Sequence, residues 1–432
     1  MALIIFSLTL FLMMLSLIFV PKIYLFKTHF NTHWMIVLFG ALMMLLFNQV
    51  SLNEVFNLMF SDQAMNPIKL ITLFIFLTVI SLFLDEIGFF KWFAYKFINK
   101  SSGKQWKVFI SIYVLTSILT VFTSNDIIIL TLTPLIIYFS KNVKINPLPY
   151  LFGVLTAANT WSIMLVIGNP TNIYLASALG VDFMTYLGVM WLPGLVAGVS
   201  GFLMISFIFK KQLSKEIGTV EGSVVLKEPL LVILGIIHLF LCIVLMAISN
   251  YIQLEMWLIT VVIAVSITVM GTLYLVIKKL PLSPIILTYQ KAPWSFIPMI
   301  LGMFILIIGI TNQGVTQSIG EFLNLFDPIY GYGVSAHIIS NLTNNQPMSM
   351  LYAQILSNQT VNLQLYQRMY ASIIGSNTGV LLTPFGALAG LMWFEMLKKF
   401  KVDLDFLKYI KVMLPTGLIV LGLTLLTLSF MI

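Results

Sequence analysis

The chain of 432 residues is 59% hydrophobic and only 9% charged, with a mean hydropathy of +1.02. Because soluble domains carry about 25% charged residues, this composition excludes a soluble protein and indicates an integral membrane protein. The net charge of +8 favours loop lysines beside anionic lipid over binding to nucleic acid. The single cysteine, Cys242, excludes a disulfide framework and a thiolate cluster for a soft metal.

Ten apolar runs approach or exceed the length of about 20 helical residues that crosses a bilayer. No basic segment precedes the first run and no small-residue cleavage site follows it, which favours a retained membrane helix over a signal peptide. The predicted membrane helices, in chain order, are 2–19, 34–48, 68–84, 149–179, 183–209, 229–248, 254–276, 294–312, 369–397 and 412–432.

Two further stretches, 108–140 and 331–360, are apolar runs with polar residues at their centres. Asn125 and Asp126 divide the first into runs too short to cross alone, and Asn344 and Asn345 divide the second. Irregular backbone at membrane depth is tolerated only where it is buried in protein or lines a cavity. We therefore predict two re-entrant helical hairpins with polar tips.

Each hairpin is followed by a helix with a polar break. Gly168 and Pro170 interrupt the helix predicted at 149–179, and Gly375 and Gly379 interrupt the one at 369–397. Two interrupted pairs at corresponding places are typical of secondary transporters built from an internal repeat.

The distribution of lysine predicts the topology. If residue 1 lies outside, only Lys69 and Arg368 of the 23 basic residues fall in outside segments. Residues 1–209 and 229–432 then have opposite orientations and are joined by a cytoplasmic linker, 210–228. The predicted fold is an all-α inverted repeat of two five-helix halves, each with a re-entrant hairpin and a broken helix. We expect it in a bacterial cytoplasmic membrane, with both termini outside.

The hairpin tips and helix breaks carry the candidate binding residues. Broken helices expose N–H groups that suit an anion and carbonyls that suit Na⁺, and neutral hydroxyls and amides add ligands. The candidate substrate-binding residues are Ser124, Asn125, Asn169, Thr171, Asn172, Asn344, Asn345, Ser376, Asn377 and Thr378. The alternative is that these residues only bond neighbouring helices.

Asp126 is the one acid well inside a predicted membrane-depth element. Asp85, Glu86, Glu255 and Glu395 lie near helix ends, where a solvated or interfacial position is expected. Asp126 is therefore the candidate carrier of coupling by H⁺ or Na⁺, with Thr133 and Thr383 as further candidates from a repeated Thr-Pro pair. The alternative role for Asp126 is to fix the hairpin tip through backbone N–H groups. No other cofactor is expected, and no metal beyond a Na⁺ site.

No spacing of His, Cys and carboxylates suggests a metal enzyme, and neither a Ser-His-Asp elbow nor a phosphate loop is visible. The sequence therefore predicts a transporter and not an enzyme. A polytopic enzyme acting on lipid and a passive channel remain alternatives. The first would need a catalytic cluster near one interface, and the second would not move its substrate against a gradient.

Several motifs resemble the ion transporter superfamily, with its ArsB/NhaD-type permeases and citrate-transporter-like domain. Asn125-Asp126 with Leu132-Thr133-Pro134 resembles the first hairpin, and Asn344-Asn345-Gln346-Pro347 resembles the second. Residues 375–393, with Leu382-Thr383-Pro384-Phe385-Gly386, resemble the corresponding segment of arsenite pumps. The resemblance spans nearly the whole chain and implies secondary active transport, with a homodimer as the expected assembly.

Two departures from arsenite pumps bear on the substrate. The first break reads Gly168-Asn169-Pro170-Thr171-Asn172, where arsenite pumps have Ser-Asn-Leu, and Asn377 stands where they have an aspartate. Both are closer to the anion-transporting branch. We therefore predict a carrier of a small inorganic or organic anion coupled to H⁺ or Na⁺, with arsenite or antimonite efflux and Na⁺/H⁺ antiport as alternatives.

Overall fold

The computed structural model describes residues 1–25, 28–60, 66–99, 103–217 and 225–432. The described chain is mostly helical, as predicted. The helices in chain order are α1 (Ala2–Phe19), α2 (Thr32–Leu46), α3 (Leu52–Phe60), α4 (Pro67–Glu86), α5 (Phe89–Asn99), α6 (Gln105–Phe122), α7 (Asn125–Asn142), α8 (Leu148–Trp161), α9 (Pro170–Ala178), α10 (Phe183–Ile208), α11 (Lys210–Leu213), α12 (Pro229–Ala247), α13 (Met256–Ile277), α14 (Ser283–Lys291), α15 (Phe296–Asn312), α16 (Val315–Leu323), α17 (Tyr330–Thr343), α18 (Asn345–Ser357), α19 (Leu363–Thr378), α20 (Leu388–Lys399) and α21 (Phe406–Met431).

The predicted breaks are present in the backbone. Thr123 and Ser124 are extended between α6 and α7, and Asn344 separates α17 from α18 with a left-handed φ of 73°. A short 3-10 helix, Val166–Gly168, lies between α8 and α9. Two more, Gly379–Leu381 and Pro384–Gly386, lie between α19 and α20. Each predicted hairpin and each predicted broken helix therefore consists of two helices with irregular backbone between them.

Eight helical segments in the described ranges are long and apolar enough to cross a membrane, with α14 and α15 counted together as Ser283–Asn312. This set contains α6 but not α2, which has 15 residues, or the separate pieces of the two broken helices. The length and apolarity of a helix therefore do not distinguish one arm of a re-entrant hairpin from a membrane-spanning helix. The ten-span topology with two re-entrant hairpins stays a prediction.

The expectation of an all-α chain is wrong in two connections. Strand β1 (Lys22–Leu25) pairs antiparallel with β2 (Thr28–Asn31), and β3 (Gly103–Lys104) pairs antiparallel with β4 (Glu216–Ile217). Both pairs lie in connections between helices, where backbone groups outside a helix need other partners. The predicted linker 210–228 contains α11 and β4, and its residues 218–224 lie outside the described residues.

The broken helices lie at the centre of the packing. Every residue from 149 to 160 on α8 and from 369 to 378 on α19 is buried. Contacts between the two halves are reciprocal, because α9 packs against α18 while α20 packs against α7. Small and neutral polar side chains allow this burial, since they fit close helix contacts and bond within the protein.

Candidate functional site

Four side chains from the two breaks form a buried hydrogen-bonded cluster, which we call the amide cluster: Ser162, Asn169, Asn172 and Asn377. The Asn377 Oδ1 atom accepts from Ser162 Oγ and from Asn169 Nδ2, both at 2.9 Å. Asn377 Nδ2 donates to Asn172 Oδ1 at 2.7 Å and to the Ile373 carbonyl at 2.9 Å. These bonds tie α19 to the break between α8 and α9.

The Asn377 amide has used its whole bonding capacity, since a side-chain amide offers two donors and an acceptor with two lone pairs. Asn172 Nδ2 likewise donates to the carbonyls of Ser162 and Leu165, at 2.8 and 3.0 Å. In this conformation Asn377 therefore joins the two halves and leaves no polar group free for a substrate.

Unpartnered oxygens lie at the two tips and beside the first break. Within the described residues, Ser124 Oγ, Asn125 Oδ1, Thr171 Oγ1 and Asn345 Oδ1 are buried without a protein hydrogen-bond partner. Asn125 Nδ2 donates to Asn159 Oδ1 at 3.3 Å, and Asn159 Nδ2 donates to the Leu155 carbonyl, which leaves Oδ1 as the free atom of Asn125. Buried polar atoms without partners are rare in folded proteins, so these oxygens are the best candidates for contact with a ligand.

At the second tip the candidate residues hold the break together. Asn341 Nδ2 donates to the Gly379 carbonyl at 2.9 Å, and its Oδ1 accepts from the Thr383 hydroxyl at 2.6 Å. Asn344 Nδ2 donates to the Phe385 carbonyl at 3.3 Å. The tip between α17 and α18 is thus fixed to the irregular backbone between α19 and α20.

The two remaining candidates on α19 have side-chain partners on the second predicted hairpin. The hydroxyls of Ser349 and Ser376 lie 3.0 Å apart, and His337 Nδ1 lies 3.0 Å from Thr378 Oγ1. Thr378 donates its own proton to the Ile374 carbonyl at 2.7 Å, so His337 Nδ1 is the donor to Thr378. His337 Nε2 is buried without a partner among the described residues.

Asp126 lies apart from the amide cluster and lines a cavity of about 730 Å³. Ser124 and Asp85 also line the cavity, as do Lys22 and Lys291, whose side chains are each 54% exposed and so mark its open rim. Asp126 makes no hydrogen bond or ion pair in the part of the chain that the structure describes, and it lies in the first turn of α7. The helix dipole favours a carboxylate at that position.

The two Thr-Pro pairs occupy different structures. Thr133 lies inside α7, followed by Pro134 within the same helix, and its hydroxyl has no partner among the described residues. Thr383 instead caps the 3-10 helix Pro384–Gly386, where its hydroxyl accepts from the Phe385 N–H. A proline after the capping residue begins a helix, whereas a proline in the interior removes a hydrogen bond. The repeated dipeptide therefore does not mark equivalent positions.

Comparison with known proteins identifies the family. The citrate transporter model, CitMHS, matches residues 25–375. The chain belongs to the citrate transporter family. The arsenical pump membrane protein of Escherichia coli (strain K12) is 28% identical over 374 residues, which covers 82% of this chain and 85% of that protein. The arsenical pump membrane protein of Yersinia enterocolitica is 29% identical over 378 residues, with the same shares covered.

The crystal structure of the Alcanivorax borkumensis YdaH transporter is similar in fold. It has a TM-score of 0.57 and covers 99% of this chain and 98% of its own, at 10% sequence identity. The predicted resemblance to the ion transporter superfamily is confirmed. As a member of the citrate transporter family, the chain is an integral membrane transporter, and the proteins that it matches are transporters and not enzymes.

Sequence reasoning on this family member missed residues that complete the networks. Ser162, Asn159 and Asn341 form hydrogen bonds with the predicted site residues Asn377, Asn125 and Thr383. None of the three was itself among the predicted site residues. A polar residue within a long apolar run was the available signal. Asn159 lies within α8, before the break, so only the packing of α7 on α8 identifies it.

Each helix break is also anchored by a tyrosine from the last helix of its half. Tyr186 on α10 donates to the Ile163 carbonyl at 2.9 Å, and Tyr409 on α21 donates to the Val380 carbonyl. These carbonyls lie where the helical ladder is interrupted, so they need partners from outside the helix. Both tyrosines are completely buried.

Removing one of these hydroxyls should destabilise the break. Tyr186→Phe leaves the Ile163 carbonyl without its donor, which costs about 1–3 kcal/mol for a buried group. We expect a lower midpoint of thermal unfolding in detergent than for wild type. Tyr138→Phe is the control, because Tyr138 is exposed and makes no hydrogen bond among the described residues. Equal midpoints for the two variants would contradict the anchoring role.

Proposed function

We propose that this chain is a secondary active efflux transporter for undissociated arsenite or antimonite, driven by H⁺ or Na⁺. The sequence favoured a small anion and placed metalloid efflux second. The unpartnered acceptor oxygens at the tips reverse that order, and the names of the arsenical pump relatives agree with the reversal.

The buried oxygens without partners suit an uncharged ligand that carries hydroxyl groups. Undissociated arsenite carries three O–H donors, and the Oδ1 atoms of Asn125 and Asn345 can only accept. A small anion would instead need donors or a cationic side chain, and no described lysine or arginine is buried. The hydroxyls of Ser124 and Thr171 can bond either kind of ligand.

The reciprocal packing supports the inverted repeat and alternating access. The second piece of each broken helix packs on the second limb of the other half's predicted hairpin, as α9 does on α18 and α20 on α7. The amide cluster crosses the same boundary. We infer that the two halves have opposite orientation, that both termini lie outside, and that the lysine-rimmed cavity opens toward the cytoplasm of a bacterium.

A small anion remains the second candidate, because the matching family model is that of a citrate transporter. The N-terminus of α9 would serve such a substrate, since Asn169 caps it and helix N-termini attract negative charge. Asp126 is the proposed coupling residue for either substrate.

Ligand-dependent thermal stabilisation of the purified protein tests the choice. The panel is arsenite, antimonite, citrate, a dicarboxylate, phosphate and sulfate, each with and without Na⁺ and at two pH values. A ligand at about 100 times its Kd adds about 2.7 kcal/mol. We expect arsenite and antimonite to stabilise the protein. Stabilisation by citrate or another anion alone would overturn the metalloid assignment, and stabilisation by Na⁺ alone would indicate an antiporter.

Two serine variants, one just before α7 and one near its far end, show whether the first hairpin tip binds the ligand. Ser124→Ala removes an unpartnered hydroxyl at the start of α7 and should reduce the stabilisation by arsenite by about 1 kcal/mol. Ser140→Ala removes a hydroxyl that is also buried and unpartnered among the described residues, but near the far end of α7. The Ser140 variant should keep the full shift, and loss of the shift in both variants would argue against a site at the tip.

A further inference from the structure

A second carboxylate lies in the cavity that leads to Asp126. Asp85, near the end of α4, was expected at an interface, but its side chain lines the same cavity of about 730 Å³. Its Oδ1 atom accepts from the hydroxyl of Thr131 on α7 at 3.0 Å. Thr131 comes later than Asp126 on α7 and also lines the cavity. Asp85 on α4 and Asp126 on α7 therefore lie on two contacting helices that line the same cavity.

Asp85 makes no ion pair in the described part of the chain, although Lys291, which pairs with its neighbour Glu86, lies close enough to attract it. Lys291 pairs with Glu86, and Glu86 is not among the residues that line the cavity. Carboxylates within membrane helices are costly and usually mark ion or proton pathways.

Further polar atoms face the cavity without partners. His33, Thr78 and Ser124 line it, are at least nine-tenths buried, and each has a polar atom with no protein partner among the described residues. Such atoms suit a path of hydrogen-bonded water or a bound ligand better than a packed core. They extend from α2 and α4 to the start of α7.

The charged and titratable groups around Asp85 come from several elements. Those that line the cavity are Lys22, His33, Asp85, Asp126, Lys291, Glu395 and Lys399. Glu86 adjoins Asp85 and is paired, and Lys96 on α5 lies over Trp92 and does not line the cavity. Glu255, the N-cap residue of α13, pairs with Lys69 at the other end of α4. Among these groups Lys22 pairs with Glu395 and Lys291 with Glu86, so Asp85 and Asp126 are the cavity carboxylates that make no ion pair among the described residues.

We propose that Asp85 and Asp126 are successive proton carriers in a single water-filled path. A proton taken up by Asp126 from the outside passes through water or the Thr131 hydroxyl to Asp85, which releases it to water at the cytoplasmic rim of the cavity and is ionised again. Each carboxylate gains and loses one proton, and no other group changes its charge. This inference rests on the proposed transport function and identifies H⁺ as the coupling ion.

The experiment separates coupling from transport itself. Wild type, Asp85→Asn and Glu86→Gln are compared in proteoliposomes by two measurements, arsenite accumulation driven by a pH gradient and arsenite exchange at equal pH. Asparagine at position 85 still accepts from Thr131, so the link between α4 and α7 is kept. Asp85→Asn should lose at least about tenfold in driven accumulation, equivalent to about 1.4 kcal/mol, and keep its rate of exchange. Glu86→Gln should keep both.

A second variant tests the structural explanation. Thr131→Val removes the hydrogen bond and keeps both carboxylates, so driven accumulation should fall less than in Asp85→Asn. Driven accumulation that is normal in Asp85→Asn would overturn the inference, as would wild-type accumulation that depends on Na⁺ and not on pH. Absence of arsenite exchange in wild type would instead show that the proposed function is wrong.

Discussion

Asn377→Asp is expected to lower the stability of the folded protein and to reduce transport. The Asn377 side chain is fully buried and donates to Asn172 Oδ1 and the Ile373 carbonyl. A carboxylate has no N–H to give, so both acceptors would face negative charge in a site without a buried cation among the described residues. An uncompensated buried charge costs about 3–5 kcal/mol.

The measurements are thermal unfolding in detergent and arsenite transport in proteoliposomes. Asn358→Asp is the matched control, because Asn358 is exposed at the end of α18 and the same exchange there adds charge in water. We expect the control to behave as wild type. If Asn377→Asp kept both its unfolding midpoint and its transport rate, the amide cluster would not be the junction between the halves.

Gly375→Ala is expected to have the second large effect. A Cβ atom at Gly375 would lie 2.2 Å from the Gly333 carbonyl oxygen, 2.7 Å from the Ala336 Cβ and 2.8 Å from the His337 N atom. Two of these atoms are backbone, so α17 and α19 would have to move apart. Overpacking of this kind costs about 1–3 kcal/mol, and the shift would also displace Ser376 and Asn377.

Gly422→Ala is the control, since nothing lies within 4 Å of a Cβ atom built there on α21. Alanine favours a helix by about 1 kcal/mol over glycine, so this variant should be as stable as wild type or more so. Transport and the unfolding midpoint of Gly375→Ala should both be lower than those of Gly422→Ala. The same values for both variants would contradict the close packing of α17 on α19.

Most helices and all four breaks could be predicted from the sequence. Apolar runs fix the helices, because backbone polar groups in lipid must bond within their own segment. The breaks are visible because Gly168, Pro170 and the Asn344-Asn345 pair interrupt those runs. Short amphipathic elements such as α3, α14 and α16 were missed, since they lie in connections that are less apolar than the predicted spans.

The roles of the individual polar residues could not be predicted. Asn377 and Asn125 look alike in sequence, yet Asn377 is saturated by four hydrogen bonds while Asn125 keeps a free oxygen. Asp85 was assigned to a helix end, whereas the packing of α4 on α7 puts it in the cavity with Asp126. Hydrogen-bond partners come from segments far apart in the chain, so spacing along the sequence does not contain them.

The amino-acid sequence alone is enough to establish an integral membrane transporter made of helices with polar breaks. The bilayer imposes that result through segment length, apolarity and lysine distribution, which are properties of local sequence. The folded chain was needed to learn which polar atoms join the two halves, which remain free for a substrate, and which carboxylates share a cavity. Those distinctions depend on contacts between distant segments, because a buried polar group is satisfied or left free by its neighbours in space.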